Sequence, residues 1–420
     1  MRPAQHELVL LTLLLHALPT PLLAEALPVI SPIGPDAGAY GAAQHYPVTG
    51  GGYPTDQVHM VGSYSHYDEL WPFHTVTRAA TPSPLRRAPQ ELALTYYSRG
   101  IPYTLGDYLA RNPVTGLLIA HGDTIEFEHY QYARTPDDRL QSQSMAKTVV
   151  GMLIGIAIGE GRIHSIDDLA QAYVPQLAGT AFGQTSLRAL LHMASGIAWR
   201  QDYVDPDSDN AKLSRMLFGR TGYDAAHAVA LFNRRVEPSD TRFNYANAQT
   251  EVLGLVLSHA AGMPLAAYLQ SRIWQPMGAE ADATWTVDHA GQEVAYCCFG
   301  AVLRDWARLG LLLAHDGATA DGHQLIPRQW VLDATTASPD SPFAPYFATG
   351  YMGYGYQVWL FPGPRRQFAL LGIHGQSLYV DPAARLVMVQ TAVHVAATAP
   401  RNEANALWAA VVKRFAPGAK

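Results

Sequence analysis

Between residues 148 and 161 the chain reads TVVGMLIGIAIGEG, an apolar run interrupted by little except glycine. Apolar side chains all round predict a helix buried on every side, not one lying half in water. Gly151, Gly155 and Gly159 recur every fourth residue, so they share a face and let that helix pack closely against a neighbour. Downstream, SIDDLAQAYVPQL, SLRALLHMASG, AHAVALFNRR and TEVLGLVLSHAAG place apolar residues at helical spacing, with caps or breakers at their ends. Ahead of them, VTGLLIAHGDTIEFEHY holds two strand-like runs around Gly122-Asp123, a hairpin signal. The far end returns to strands in YGYQVWLFP, QFALLGIH and SLYVDPAARLVMVQTAV, joined by turn formers such as Gly363-Pro364 and Asp381-Pro382. A last helix, NEANALWAAVVKRF, follows.

Strands at both ends with helices between them predict an α+β fold: one antiparallel sheet flanked by helices, its N- and C-terminal strands paired, with a helical subdomain inserted over roughly residues 155–290. The main domain is expected over 86–420. Residues 27–85, rich in Gly, Pro, Tyr and His, follow neither period and predict an extended segment lying over the main body. Residues 1–26 read as an export signal: Arg2, the apolar stretch LVLLTLLLHALPTPLLA, then Ala24-Glu25-Ala26 as a small-x-small site with cleavage expected after Ala26. His16, Pro19 and Pro21 interrupt that stretch, so a lasting membrane anchor is not expected and the mature chain is expected in the periplasm.

Composition narrows the partners. Of 420 residues 48% are hydrophobic and 15% charged, and the formal charge of −6 has no block of like charges behind it, so nothing points to nucleic acid. A small uncharged or amphiphilic partner fits better. Cys297 and Cys298 are adjacent, which makes a mutual disulfide unfavourable because bridged residues normally lie farther apart; two small buried thiols are expected instead. The 17 histidines, His66 and His74 among them, show no metal-ligand spacing, and no metal or cofactor is expected. Gly-x-Ser-x-Gly, His-Glu-x-x-His, phosphate-loop and dinucleotide signatures are all missing.

What remains is Ser144-x-x-Lys147 at the mouth of the apolar run. A helix beginning near Ser144 puts both side chains on one face, one turn apart. A serine hydroxyl needs a base to take its proton, and a lysine serves as that base when burial leaves it a neutral amine. The helix N-terminus adds its dipole and free N–H groups beside the developing charge. Taken alone, Ser-x-x-Lys is also an ordinary helix start. A second feature adds weight: Tyr245-x-Asn247 in TRFNYANAQTEVLG, an extended segment that turns both side chains to one side ahead of a helix. A tyrosine there can pass protons between nucleophile and leaving group, and the asparagine can hydrogen-bond the lysine.

Together these residues, with SLRALLHMASGIAW between them, resemble the serine β-lactamase and penicillin-binding-protein superfamily on the side of class C β-lactamases and related esterases. MVGSYSHYDELWPFHTV, DYVDPDSDNAKL, YCCFGAVLRDWARLG and GIHGQSLYVDPAARLVMV are similar to the 6-aminohexanoate-dimer hydrolase group, from about residue 58 to the end. The resemblance implies Ser144 as acylated nucleophile, Lys147 as its general base, Tyr245 as proton shuttle and Asn247 as the residue orienting the lysine. It implies an oxyanion hole from the backbone N–H groups of Ser144 and Ile373. The family's third motif falls on Leu370-Leu371-Gly372, where its usual cationic first residue is absent. That departure disfavours a true β-lactamase or D-amino-acid peptidase, whose motif helps hold a substrate carboxylate. His374 nearby is a partial substitute.

Softer expectations are Tyr203 as a loop tyrosine covering the site, Gly372 and His374 at the substrate, and Trp199 and Trp359 as cleft lining or core. The reading is an exported serine hydrolase working through an acyl-enzyme on small carboxylic esters or amides. The rival of another class is a non-catalytic cell-envelope binding module of the same fold, against which the intact Ser144, Lys147, Tyr245 and Asn247 argue.

Overall fold

The hairpin signal at Gly122 and Asp123 is realised as the centre of the main sheet. Strand Val114–His121 turns through Gly122, at a positive φ of 58°, and returns antiparallel as Thr124–Tyr130. On its other edge Val114–His121 pairs antiparallel with Leu386–Ala392, so the two ends of the chain meet in adjacent strands, as expected of an α+β fold with an insertion. Ser377–Asp381, Phe368–Leu371, Trp359–Leu360 and Gly353–Tyr354 continue the sheet antiparallel. The structure, a computed structural model, describes residues 26–49, 56–219 and 221–416. The expected export signal therefore lies, but for Ala26, outside the described residues.

Alternate residues of the central strand serve two cores. Leu117 and Ile119 face one side, with Leu386, Met388, Leu407 and Trp408 of the Asn402–Phe415 helix. Leu118 and Ala120 face the other, with Val387, Val389, Trp306 and Leu309 of the Leu303–Ala314 helix. A sheet covered on both faces explains why these strands are nearly continuous in apolar residues.

The apolar run forms the helix Ala146–Gly159, entered through a 3₁₀ turn at Gln143–Met145. Its glycines do what their spacing implied. A Cβ on Gly151 would lie 2.9 Å from the Tyr356 carbonyl, and one on Gly155 would collide with the Trp330 indole. The Trp330 Nε1–H instead donates to the Gly151 carbonyl at 3.0 Å. On another side the helix packs against Asn247–Ala261, which ends at Gly262 in the left-handed region, φ 66°.

Four expectations need correction. Residues 27–85 are not merely extended: they include a helix, Gln57–Ser65, and a strand, Phe73–Val76, that pairs with Ala283–Thr286. The helix hides its period because Ser63 and Ser65 are buried with Met60 and Val61. SIDDLAQAYVPQL forms only the 3₁₀ turns Ala170–Ala172 and Pro175–Leu177, the proline ending helical pairing. YGYQVWLFP is a tight connection between two short strands, with Gln357 at φ 59°. Finally, Cys297 and Cys298 are buried as expected but joined in a disulfide, with Cys298 at φ 69° so that neighbouring side chains turn toward one another. Among the described residues no single helix is long and apolar enough to cross a membrane.

Candidate active site

The turn that carries Ser144 is held from both sides. Ser142 N–H donates to the Phe299 carbonyl at 2.9 Å, and Phe299 N–H donates back to Ser142 Oγ at 3.1 Å. Gln143 then takes φ 44°, a conformation rare outside glycine and asparagine, and delivers Ser144 at the start of the helix.

Lys147 Nζ donates to Ser144 Oγ at 2.9 Å and to the Tyr296 carbonyl at 2.8 Å. Lys147 is 1% exposed, and burial pushes its amine well below the ordinary lysine value, against a smaller opposing pull from Glu251. A neutral amine next to the hydroxyl is what a general base requires. Tyr245 completes the group. Its hydroxyl is hydrogen-bonded to Ser144, its ring lies 5.1 Å from Lys147 Nζ, and Trp359 stacks on it with ring centres 5.7 Å apart. Burial raises the Tyr245 pKa well above 10, with Tyr203 and Tyr354 adding to the effect, so the phenol stays protonated near neutrality.

Ser144 opens into a recess of about 300 Å³, counting space open to solvent, shared with Tyr203, Asn210, Asn247, Tyr296 and Ile373. The structure therefore brings Ile373 and Tyr203 to Ser144. Gly372 supports this from behind: a Cβ there would lie 2.5 Å from the Ser142 carbonyl and 2.9 Å from Gln143 Cβ, so only glycine lets the strand end approach the nucleophile turn. Leu370 is fully buried and puts no charge at the third-motif position.

Two expected roles are not realised. Asn247 lines the recess, but its amide donates to Asn210 Oδ1 at 2.7 Å and its own Oδ1 has no partner among the described residues; the lysine is held by the Tyr296 carbonyl instead. His374 is buried away from the recess lining, its ring bonded to the His394 carbonyl at 2.7 Å and its pKa lowered by burial, so it offers no cation to a substrate. Trp199 joins the core, donating to Gln201 Oε1, whereas Trp359 does flank the site through Tyr245.

Sequence reasoning missed Glu251, Tyr296, Asn210 and Arg401. Arg401 donates to the Gly372 carbonyl and, at 3.2 Å, to the Gln376 carbonyl, bracing the turn that carries Ile373. The usable sequence signal was a lone acid, Glu251, inside an apolar helix.

Comparison with known proteins places the chain among hydrolases of one fold. The chain is 29% identical over 368 residues to the 6-aminohexanoate-dimer hydrolase of Paenarthrobacter ureafaciens, covering 84% of this chain and 92% of that protein. A Bacillus anthracis structure provisionally named a 6-aminohexanoate-dimer hydrolase superposes with a TM-score of 0.77 at 24% identity, covering 86% of this chain and 95% of the other. EstCE1, described as a hydrolase with promiscuous acyltransferase activity, shares the fold with a TM-score of 0.57 at 14% identity, over 71% and 94% of the two chains. The Beta-lactamase family profile matches residues 107–413, most of the chain, and this protein belongs to that family.

Proposed function

We propose that this protein is a serine hydrolase that cleaves small carboxylic esters or amides through an acyl-enzyme. The observation that carries the reading is Lys147 Nζ, buried and 2.9 Å from Ser144 Oγ, with the Tyr245 hydroxyl on the same oxygen. Neutral Lys147 takes the Ser144 proton as Oγ bonds to the substrate carbonyl carbon, and the carbonyl oxygen gathers charge facing the N–H groups of Ser144 and Ile373. Collapse breaks the bond to the leaving alcohol or amine, which receives its proton through Tyr245. Water then attacks the acyl-serine by the reverse route and frees the acid.

The recess lining has no charged side chain among the described residues, which favours an uncharged or amphiphilic acyl part. Leu370, buried where a β-lactamase would carry a cation, weighs against β-lactams. The resemblance to 6-aminohexanoate-dimer hydrolases makes a linear amide the natural second substrate. Export with cleavage after Ala26 belongs to the same reading, and N-terminal sequencing that finds Leu27 first would support it.

The test is hydrolysis of p-nitrophenyl butyrate, nitrocefin and the linear 6-aminohexanoate dimer in parallel, with Ser144→Ala as blank. The expected result is turnover of ester or dimer that vanishes in the variant. Nitrocefin as the best substrate would transfer the reading to a β-lactamase, and silence on all three would favour a binding module.

A further inference from the structure

The Asn247–Ala261 helix carries a carboxylic acid in its buried face. Glu251 is 1% exposed, one turn beyond Asn247, and is not itself part of the recess lining. It points at the segment 294–298, which holds the lysine. Glu251 Oε2 accepts the Ala295 N–H at 2.9 Å, and the carboxyl also accepts the N–H of Tyr296. One residue's carboxyl thus fixes two successive amides, and the carbonyl of the second residue is the one that Lys147 Nζ grips at 2.8 Å.

The rest of the segment is tied with the same care. The Trp285 indole N–H is shared between the Val294 and Cys297 carbonyls at 3.1 and 3.2 Å. Gly254, three residues after Glu251 and on its face, leaves the space into which Ala295 Cβ fits; a Cβ on Gly254 would collide with it. Beyond Cys298, Phe299 bonds the Ser142 turn. A continuous path therefore runs from Glu251 through the backbone of Tyr296 to Lys147 and Ser144.

We infer that Glu251 is a positioning residue for the general base: its carboxyl sets the Tyr296 carbonyl, which holds the Lys147 amine against Ser144. This rests on the serine-hydrolase reading above. Asn247, the residue expected to orient the lysine, is turned to Asn210, so the task falls to a backbone carbonyl that needs an anchor of its own. The ionisable groups acting on Glu251 are Lys147 from the nucleophile helix and Asp288 from the loop before the held segment, and the Lys147 amine in turn lies 5.1 and 5.3 Å from the Tyr245 and Tyr296 rings. Burial and Asp288 push the Glu251 pKa up to about 8, against the N–H bonds from Ala295 and Tyr296 and the smaller pull of Lys147, so near neutrality the acid is mostly uncharged and acts by hydrogen bonding. An uncharged acceptor of the same length should then serve as well.

The test pairs Glu251→Gln, which keeps length and an acceptor but cannot ionise, with Glu251→Asp, which keeps the carboxyl but withdraws it by about 1.5 Å. Both are small changes, and a thermal melt checks that each variant folds. E251D is expected to lose about tenfold or more in kcat with KM within about threefold, because a displacement of about an ångström at a catalytic group is costly. E251Q is expected to keep kcat within about threefold of wild type. Amide hydrogen exchange supplies a readout independent of turnover: the Ala295 and Tyr296 amides should exchange faster in E251D than in wild type or E251Q. E251D with wild-type kcat, E251Q falling as far as E251D, or unchanged exchange at both amides in E251D each overturns the inference. Wild type that neither hydrolyses an ester nor reacts covalently at Ser144 would instead overturn the hydrolase reading, and the exchange experiment would still decide whether Glu251 holds the segment.

Discussion

Lys147 Nζ stands 2.9 Å from Ser144 Oγ, one helical turn along, and is only 1% exposed. The amine is desolvated by the same apolar helix that presents the serine. Packing and chemistry are therefore one feature, since the burial that stabilises the helix also lowers the proton affinity of its lysine.

The pH dependence follows from that burial. Acid protonates Lys147 and removes the base, so kcat should rise with pH through the lysine's depressed pKa, far below the free-lysine value of about 10.4. A kcat–pH profile over the stable range measures it. A limb near the ordinary lysine value would mean that the amine is not the base.

Tyr245→Phe keeps the ring that stacks on Trp359 but removes the hydroxyl bonded to Ser144. Proton delivery to the leaving group should suffer by about 10²–10⁴ in kcat with the melting temperature little changed. The loss should shrink for esters with acidic leaving groups such as p-nitrophenol, which need little protonation. Equal losses for p-nitrophenyl and ethyl esters would argue against the shuttle.

Gly372→Ala tests close approach, not backbone freedom, because Gly372 has an ordinary extended conformation with φ −129°. The added methyl meets the Ser142 carbonyl at 2.5 Å, and the strand must retreat from the nucleophile turn. Overpacking of this kind costs about 1–3 kcal/mol in stability. With the Ile373 N–H displaced, kcat should fall by about tenfold or more. Chemical denaturation and steady-state kinetics read the two effects separately.

Glu251 also predicts a stability signature. Its folded-state pKa is raised from 4.5 to about 8, so the stability it contributes is present below the unfolded value and is lost as pH rises through that window. Glu251→Gln does not titrate, so its melting temperature should gain on that of wild type between about pH 5 and pH 8. Parallel melts across that range check the sign.

The parts of this site that were legible in the sequence are those whose signal is local. Ser144 and Lys147 declare themselves by helical spacing at the edge of an apolar run, and the four-residue glycine period announces the packing face that Tyr356 and Trp330 occupy. Paired terminal strands followed from their apolar runs and the Gly122 turn. What stayed hidden depends on contacts between distant segments. No spacing rule says that Asn247 will turn to Asn210, or that Glu251 will meet Ala295 some forty residues later. The Cys297–Cys298 bond is not legible in the sequence because its feasibility depends on backbone conformation, which adjacency does not specify. The Gln57–Ser65 helix was missed because buried serines mimic a polar face.

The most direct measurement is the intact mass of the protein after exposure to a fluorophosphonate, followed by peptide mapping. A single adduct on Ser144 is expected, absent from Ser144→Ala and formed faster as pH rises through the Lys147 limb. An adduct on a different residue, or Ser144→Ala hydrolysing ester at the wild-type rate, would contradict it.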